Sequence, residues 1–511
     1  MARNQAKFVL SASLIAVLTL ASRLLGLVRE TMFSYYFSTG ELLSAFRIGF
    51  QVPNLARRLV GEGALSSAMI PVLTEVLAED GEEASRRFVG NLLTLLATVL
   101  TVALLLIEGV LLAWRGFSGD AALRLTAMMM PYMVLICLSA VAGGVLNVRR
   151  HFAIPAAAPN ILNLCMIAAM LGGSRFFHLD DAAMMDWSCY SVLIAGVLQV
   201  LLTAFALRQV AFFPRFGLAW RDPRIRRVFM LMGPMALGLS AVQINTLVDN
   251  IIAYLFIIED GERIGPAVLG YAQFLYQLPL GVAGISLATA VFPVLSSKAA
   301  QGDLAGLSEV FLRGLRTSFF LAFPSAVGLI FVARPLVATL YQRGAFDAAD
   351  TTRVAGTLFF YSLGIPAYFA QHIIVRTFYA LKDSRTPARI ALCMVGLDIL
   401  MNLCLVFVMQ ERGLALATAV CAFIQVTYLL WRLRGHLSRL NAGTLWKGIR
   451  GTLLATAIMT AVLTVISLSY TGTSNPIRLL ALVGGGAGAY LLTAFVLRLE
   501  ELRLGTPSVR S

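Results

Sequence analysis

The chain has 511 residues, of which 59% are hydrophobic and only 13% charged, about half the charged fraction of an average soluble protein. So few charges cannot clothe the surfaces of several soluble domains, and a soluble globular protein is excluded. Lys and Arg number 41 against 27 acidic residues, a formal net charge of +14. Most of these cations sit in short loops beside apolar runs, so they read as signals of membrane topology and not as a nucleic-acid footprint.

Taken in chain order, apolar segments fall near 8–30, 43–74, 88–113, 122–147, 156–174, 187–207, 228–257, 266–296, 310–332, 354–380, 388–409, 413–433, 449–470 and 477–497. A hydrocarbon core of about 30 Å needs roughly 20 helical residues, which most segments supply. The pattern predicts an all-α polytopic membrane protein with fourteen transmembrane helices. The first segment contains Arg23 and Arg29 and lacks a small-residue cleavage site, so it reads as a retained helix and not a signal peptide. Pro53, Pro279 and Pro366, each near a Gly, are the expected places for broken or tilted spans.

The loop charges test this count. With the N terminus in the cytoplasm, the even-numbered connections and both termini carry Arg86, Arg87, Arg149, Arg150, the 208–227 and 432–450 clusters, Lys382 and Arg385. The opposite side is far poorer in Lys and Arg. This positive-inside bias predicts both ends in the cytoplasm.

An internal repeat sets the domain plan. GALSSAMIPVLTEVLAEDGE at 63–82 parallels GISLATAVFPVLSSKAAQGD at 284–303, with Pro71 and Pro293 in matching places. NVRRHFAIPAAAPNILNLCM, from Asn147, parallels ALKDSRTPARIALCMVGLDILMNLC, from Ala380; both end in Asn-Leu-Cys, at 163–165 and 402–404. The expected organisation is an N-lobe of six helices over 1–210, an amphipathic, basic and aromatic cytoplasmic linker over 211–227, and a C-lobe of six helices over 228–434. Two further helices and a cytoplasmic tail follow over 435–511. Related lobes around a cleft are a common plan for secondary transporters.

Two sets of polar residues lie inside the apolar segments. The first span carries Arg23, Arg29 and Glu30; the second carries Arg57 and Arg58, with Glu62 one turn beyond Arg58 and Arg47 nearer its outer end. An Arg in a bilayer core costs several kcal/mol on insertion scales. Such a group calls for water, a counter-charge or an anionic ligand, and guanidinium suits phosphate or pyrophosphate. Snorkelling helix ends with structural ion pairs are the competing reading.

In the second half, Asp249 stands in the seventh span near Gln243, Asn245 and Asn250. Asp398 and Asn402 share a face of the eleventh, and the twelfth offers Thr418 and the backbone carbonyl of Leu414. Carboxylates, an amide and a hydroxyl are hard oxygen ligands of the kind a small cation takes. A protonated carboxylate network, or helix–helix hydrogen bonding, fits the same residues.

Equipment for bond-making chemistry is not visible. The sequence has no GxxxxGK[ST], GxSxG or HExxH motif, and the physical class is a secondary transporter for an anionic or amphiphilic solute, not an enzyme. The six Cys lie almost wholly in apolar stretches without a CxxC pair, and the four dispersed His give no metal spacing.

SRLLGLVRE at 22–30, VPNLARRLVGEGALSSAMIPVLTE at 52–75 and YAQFLYQLPLGVAGISLATAVFPVLS at 271–296 strongly resemble the MurJ (MviN) family. These are bacterial lipid II flippases of the multidrug/oligosaccharidyl-lipid/polysaccharide (MOP) exporter superfamily. The likeness runs from about residue 8 to the last spans. It implies a flippase that moves undecaprenyl-pyrophosphate-linked peptidoglycan precursor from the inner to the outer leaflet by alternating access. It also implies an Arg-rich cavity for the head group, carried here by Arg23, Arg29 and Arg57 with Arg58 and Glu62 beside them. The last two helices would form a groove for the lipid tail.

The family's sodium pattern carries over onto Asp249, Asp398, Asn402 and Thr418, with the Leu414 carbonyl. The carboxylate and amide of the eleventh helix are exchanged, which leaves sodium, a proton or neither open; no other cofactor is implied. The implied partners are lipid II, membrane lipids and the cell-wall synthesis machinery, and the implied location is the bacterial inner membrane.

The sequence departs from the family at Gln273 and Phe274, where relatives carry an acidic–basic pair, at Gln277, and at Ser44, where an acid is common. These losses keep in view an exporter of another polyprenyl-linked glycan or amphiphile, and a non-transporting scaffold.

Overall fold

A computed structural model of the chain describes residues 2–58, 64–118, 120–217, 219, 221–437, 442–470 and 474–503. The architecture is helical throughout apart from a β-hairpin of two-residue strands, β1 (Ile258–Glu259) and β2 (Glu262–Arg263). Chain contacts divide it into two compact units, one of Met1–Leu247 with Glu262–Pro266, the other of Val248–Gly261 with Ala267–Ser511.

The first unit opens with α1 (Ala2–Phe37), α2 (Glu41–Ala56) and α3 (Ala64–Glu79), followed by the long α4 (Gly81–Ser118). The chain continues through α5 (Ala121–Met129), α6 (Tyr132–Val148), α7 (Ala153–Arg175) and α8 (Asp181–Gln209), then enters α9 (Pro223–Phe256), within which the division between units falls. Caps set several starts. Asp120 accepts from the Ala122 backbone N–H at 2.7 Å and Asp180 from that of Ala183 at 2.9 Å, supplying partners to N–H groups that a helix start leaves open.

Close helix approaches in this unit depend on missing side chains. A Cβ on Gly49 would come within 2.9 Å of the Thr126 backbone nitrogen, where α2 packs on α5. One on Gly196 would meet Tyr132 at 2.8 Å, where α8 packs on α6.

Helix α4 has 38 residues, about 57 Å at 1.5 Å per residue, nearly twice the hydrocarbon thickness. Its N-terminal turns hold neighbouring loops. Glu82 pairs with Arg149 and Glu83 with Arg215; the Arg215 backbone N–H donates to the Arg86 carbonyl at 3.0 Å, and Arg86 donates to the Ala211 carbonyl at 2.8 Å. The described part of the 211–227 segment before α9 is therefore an irregular strap on α4, with Phe212 buried beneath Arg149 and Phe213 and Phe216 exposed.

The second unit holds α10 (Gly265–Pro279), a π-helical segment at Leu280–Gly284, α11 (Ile285–Ala300), α12 (Leu304–Tyr341), α13 (Ala348–Leu363) and α14 (Ile365–Ala380). Helices α15 (Arg385–Met409), α16 (Glu411–Arg434), α17 (Ala442–Ser469) and α18 (Asn475–Val496) follow, then a 3-10 turn at Glu500–Arg503. The prolines singled out from sequence stand at irregularities. Pro279 precedes the π segment, Pro366 opens α14 after a 43° bend from α13, and Pro53 lies one turn before π-helical residues 57–58.

The core of this unit gathers Phe311, Phe369, Ile373, Phe378 and Leu429. A second cluster joins α12 to the last two helices through Phe320, Met459, Leu463 and Tyr490, and the Tyr490 hydroxyl donates to the Phe320 carbonyl at 2.6 Å.

Among the described residues ten helical stretches are long and apolar enough to cross a membrane, or eleven with the bent α13–α14 pair as one span. The fold is thus all-α and polytopic. The remaining expected spans, over 8–30, 43–74 and 228–257, each include residues or side chains outside the described set. Apolar side chains that face outward, such as Leu105, Leu106 and Val110 on α4, suit contact with lipid.

Candidate functional site

The first unit concentrates charge where α1, α2 and α7 meet their polar residues. Glu30 on α1 is only 4% exposed. One of its carboxylate oxygens accepts from Arg29 at 2.7 Å, the other from Arg47 of α2 at 2.8 Å. Arg29 uses its other terminal nitrogen to reach Asn163 Oδ1 on α7 at 3.0 Å. The amide nitrogen of Asn163 donates back to the Ser22 carbonyl of α1 at 3.2 Å.

Among the described residues this group sets the Arg29 and Arg47 guanidiniums around the single Glu30 carboxylate. Both arginine side chains are about one-fifth exposed, at 19% and 18%, and the Arg29 Nε is buried without a hydrogen bond. A buried charge is tolerated when paired and hydrogen-bonded. Guanidinium groups placed this way can attract an anion.

The structure does not gather every expected arginine onto this cluster. Arg23 lies half-buried on α1. The Arg57 Nε donates to Asn54 Oδ1 at 2.8 Å within the same helix, and Arg58 reaches Gln243 Oε1 at 2.9 Å. Glu62 lies outside the described residues. Asn163 and Arg47 take the places next to Arg29. Residue order places Arg47 nearer the outer end of the second span and marks Asn163 only through the repeated Asn-Leu-Cys.

In the second unit, Asp249 of α9 and Asp398 and Asn402 of α15 come together at 3%, 2% and 0% exposure. The Asn402 amide nitrogen donates to Asp249 at 2.7 Å and to Asp398 at 3.1 Å. The Asn402 nitrogen bridges the two carboxyl groups, and the Cys421 Sγ of α16 lies 3.8 Å from Met401 Sδ of α15. Asn402 Oδ1 is buried without a hydrogen-bond donor.

Two carboxyl groups side by side in a dry interior repel unless a proton or a cation lies between them. The orphaned amide oxygen beside them fits a cation that takes hard oxygen ligands. Thr418 and Leu414 bond to each other on α16, hydroxyl to carbonyl at 3.0 Å, one turn before Cys421. That turn is packed against α15. Among the described residues no cluster of three or more His, Cys, Asp or Glu is formed, so any cation here rests on two carboxylates and neutral oxygens.

Of Ser44, Gln273, Phe274 and Gln277, Gln273 joins a neutral network. Gln273 donates to the Tyr361 hydroxyl at 3.1 Å. Tyr361 stacks on Tyr276 with ring centroids 4.8 Å apart, and Tyr368 lies 5.5 Å from Tyr276. Ser44 is fully buried on α2.

Comparison with known proteins bears on the whole chain. The model of the family described as "Lipid II flippase MurJ" matches residues 33–483. A protein of Rhizobium tropici described as a probable lipid II flippase MurJ is 33% identical over 437 residues, covering 82% of this chain and 80% of that protein. Among solved structures, a lipid II flippase MurJ in an inward closed conformation superposes with a TM-score of 0.75 at 25% identity, over 95% of this chain and 98% of that one. An inward-facing multidrug resistance MATE family transporter of the MOP superfamily shares the fold, with a TM-score of 0.66 at 16% identity over 84% of this chain and all of that one.

Proposed function

The chain belongs to the MurJ family of lipid II flippases, and from that premise we propose that it carries lipid II from the inner to the outer leaflet of the bacterial inner membrane. It is a transporter and not an enzyme. The observation that carries the reading is the cluster in which Arg29 and Arg47 meet the buried Glu30, with Asn163 of the membrane-spanning α7 bonded to Arg29. A pyrophosphate-linked head group supplies the matching anion, and bidentate guanidinium contacts offset its desolvation.

The finer plan is fourteen spans with both termini cytoplasmic, an N-lobe over 1–210, a linker over 211–227, a C-lobe over 228–434 and a terminal pair over 435–511. Arg23, Arg57, Arg58 and Glu62 complete the head-group surface. Helices α17 and α18 form the groove for the lipid tail, and their tie to α12 through Tyr490 supports a fixed wall there.

Asp249, Asp398 and Asn402, with Leu414 and Thr418 on the adjoining helix, hold sodium or a proton that biases the outward state. The orphaned Asn402 oxygen supports this reading. A charge moved across 100 mV is worth about 2.3 kcal/mol, enough to shift a two-state equilibrium by more than tenfold.

The neutral Gln273–Tyr361 bond favours a second reading, in which the cargo is another polyprenyl-linked glycan. Complementation of a flippase-depleted strain decides between them, with leaflet accessibility of lipid II as the readout. Restoration by the wild type, and loss with Arg29→Ala at equal expression, supports lipid II as cargo. A well-expressed wild type that restores nothing supports the other glycan.

A further inference from the structure

A guanidinium can bind a pyrophosphate bidentately only when its plane is held toward the ligand, and a free arginine side chain samples many rotamers. In the first unit Arg29 is held at both terminal nitrogens. Glu30 takes one, but Glu30 is shared with Arg47 and cancels charge. Asn163 takes the other at 3.0 Å. The amide cannot turn without losing its own bond to the Ser22 carbonyl, and so its oxygen is the atom that faces Arg29. Asn163 is 6% exposed and sits on α7, a different helix from the two that carry the arginines.

The repeat within the chain adds an independent observation. Asn163 and Asn402 occupy the same place in the duplicated Asn-Leu-Cys ending. In the second unit Asn402 turns its nitrogen to carboxylates; in the first, Asn163 turns its oxygen to a cation. An amide is the side chain that serves either sign without adding charge of its own.

Resting on the flippase reading above, we propose that Asn163 is a positioning residue for head-group binding: it fixes the Arg29 guanidinium toward the cargo pyrophosphate while leaving its charge intact. A carboxylate in the same place could accept from Arg29, but it has no N–H for the Ser22 carbonyl and would add a negative charge beside the guanidinium.

The test is titration of undecaprenyl pyrophosphate into the full-length protein in nanodiscs. The wild type is compared with Asn163→Ala, Asn163→Asp, Arg29→Ala and the Arg29→Ala/Asn163→Ala double variant. Asn160→Ala serves as the packing control, because Asn160 bonds the Leu18 carbonyl across the same helix pair at 3.4 Å. Asn163→Ala is expected to weaken binding roughly tenfold, as loss of a charge-assisted hydrogen bond would, and Asn163→Asp to weaken it further. Asn160→Ala is expected to bind like the wild type.

In the Arg29→Ala background, removal of Asn163 is expected to change nothing, since the residue acts through Arg29. Wild-type binding by Asn163→Ala, or an equal loss with and without Arg29, overturns the proposal and leaves the flippase reading standing. A wild type that does not bind the lipid overturns both.

Discussion

The side-chain amide of Asn402 donates to Asp249 at 2.7 Å, joining residues 153 positions apart in the chain. The same nitrogen also serves Asp398, so one neutral group holds two buried carboxyl groups. Asn402→Ala leaves both without their common donor, and the variant is expected to be destabilised by on the order of 3 kcal/mol. The check is thermal unfolding in detergent.

The same site should report its ion. If sodium binds, added sodium chloride raises the Tm of the wild type by mass action while equimolar potassium chloride does not, and Asp398→Asn loses the response. A Tm that ignores sodium but shifts with pH in the wild type and not in Asp398→Asn assigns the site to a proton.

Arg353 of α13 bridges two acids, Glu259 and Glu411, and Glu411 is 3% exposed. Arg353→Ala removes the Glu411 partner at 3.7 Å and leaves Arg412 as the cation acting on that carboxylate. The expected cost is about 1–2 kcal/mol, less than for breaking a hydrogen-bonded buried pair. Arg353→Ala/Glu411→Gln should recover much of it, and denaturation of the two variants side by side measures the difference.

Tyr490→Phe removes the hydroxyl that bonds the Phe320 carbonyl and keeps the ring contact at 5.3 Å between centroids. A loss of about 1 kcal/mol is expected, confined to the attachment of α18. Faster hydrogen exchange in α17 and α18, with unchanged exchange in α13–α16, is the predicted signature.

At the start of α12, Asp303 accepts from Lys298 at 2.8 Å and from the Gly306 backbone N–H at 2.7 Å. The Lys298 hydrogen bond, then the Gly306 one, hold its carboxyl below the ordinary value of 3.8. A carboxylate depressed in the folded state contributes stability that is present above its unfolded pKa and is lost as pH falls through the folded one. Exchange of the first amides of α12 should therefore quicken as pH falls below 3.8 in the wild type, after correction for intrinsic rates. In Asp303→Ala, which has no side-chain acceptor for the Gly306 N–H, it should be fast already and insensitive to pH.

Much of this architecture is legible in residue order because lipid imposes a simple rule: long apolar runs become helices, and basic loops mark one side. The bend at Gly364–Pro366 and the π segment after Pro279 follow from local chemistry, since proline withholds a backbone donor. The Arg29–Glu30 pair is local as well.

What residue order does not reveal is that Arg47 turns back to the same carboxylate. That depends on how α1 and α2 lie together, and no spacing rule reports it. Asn163 is harder still: a single Asn in an apolar run most often bonds a neighbouring helix, and only its repetition at Asn402 marks it out. In the same way Gln273 reads as a lost charge, while its bond to Tyr361 shows a polar contact kept in neutral form.

Helix α4 projects well past the thickness of the bilayer, with the 148–150 turn and the 211–217 strap ion-paired to its first turns. Those two loops are therefore passengers on a rigid mast. Fluorophores placed one on each should keep a constant separation through a transport cycle, and a single probe on either one would track the orientation of the whole post.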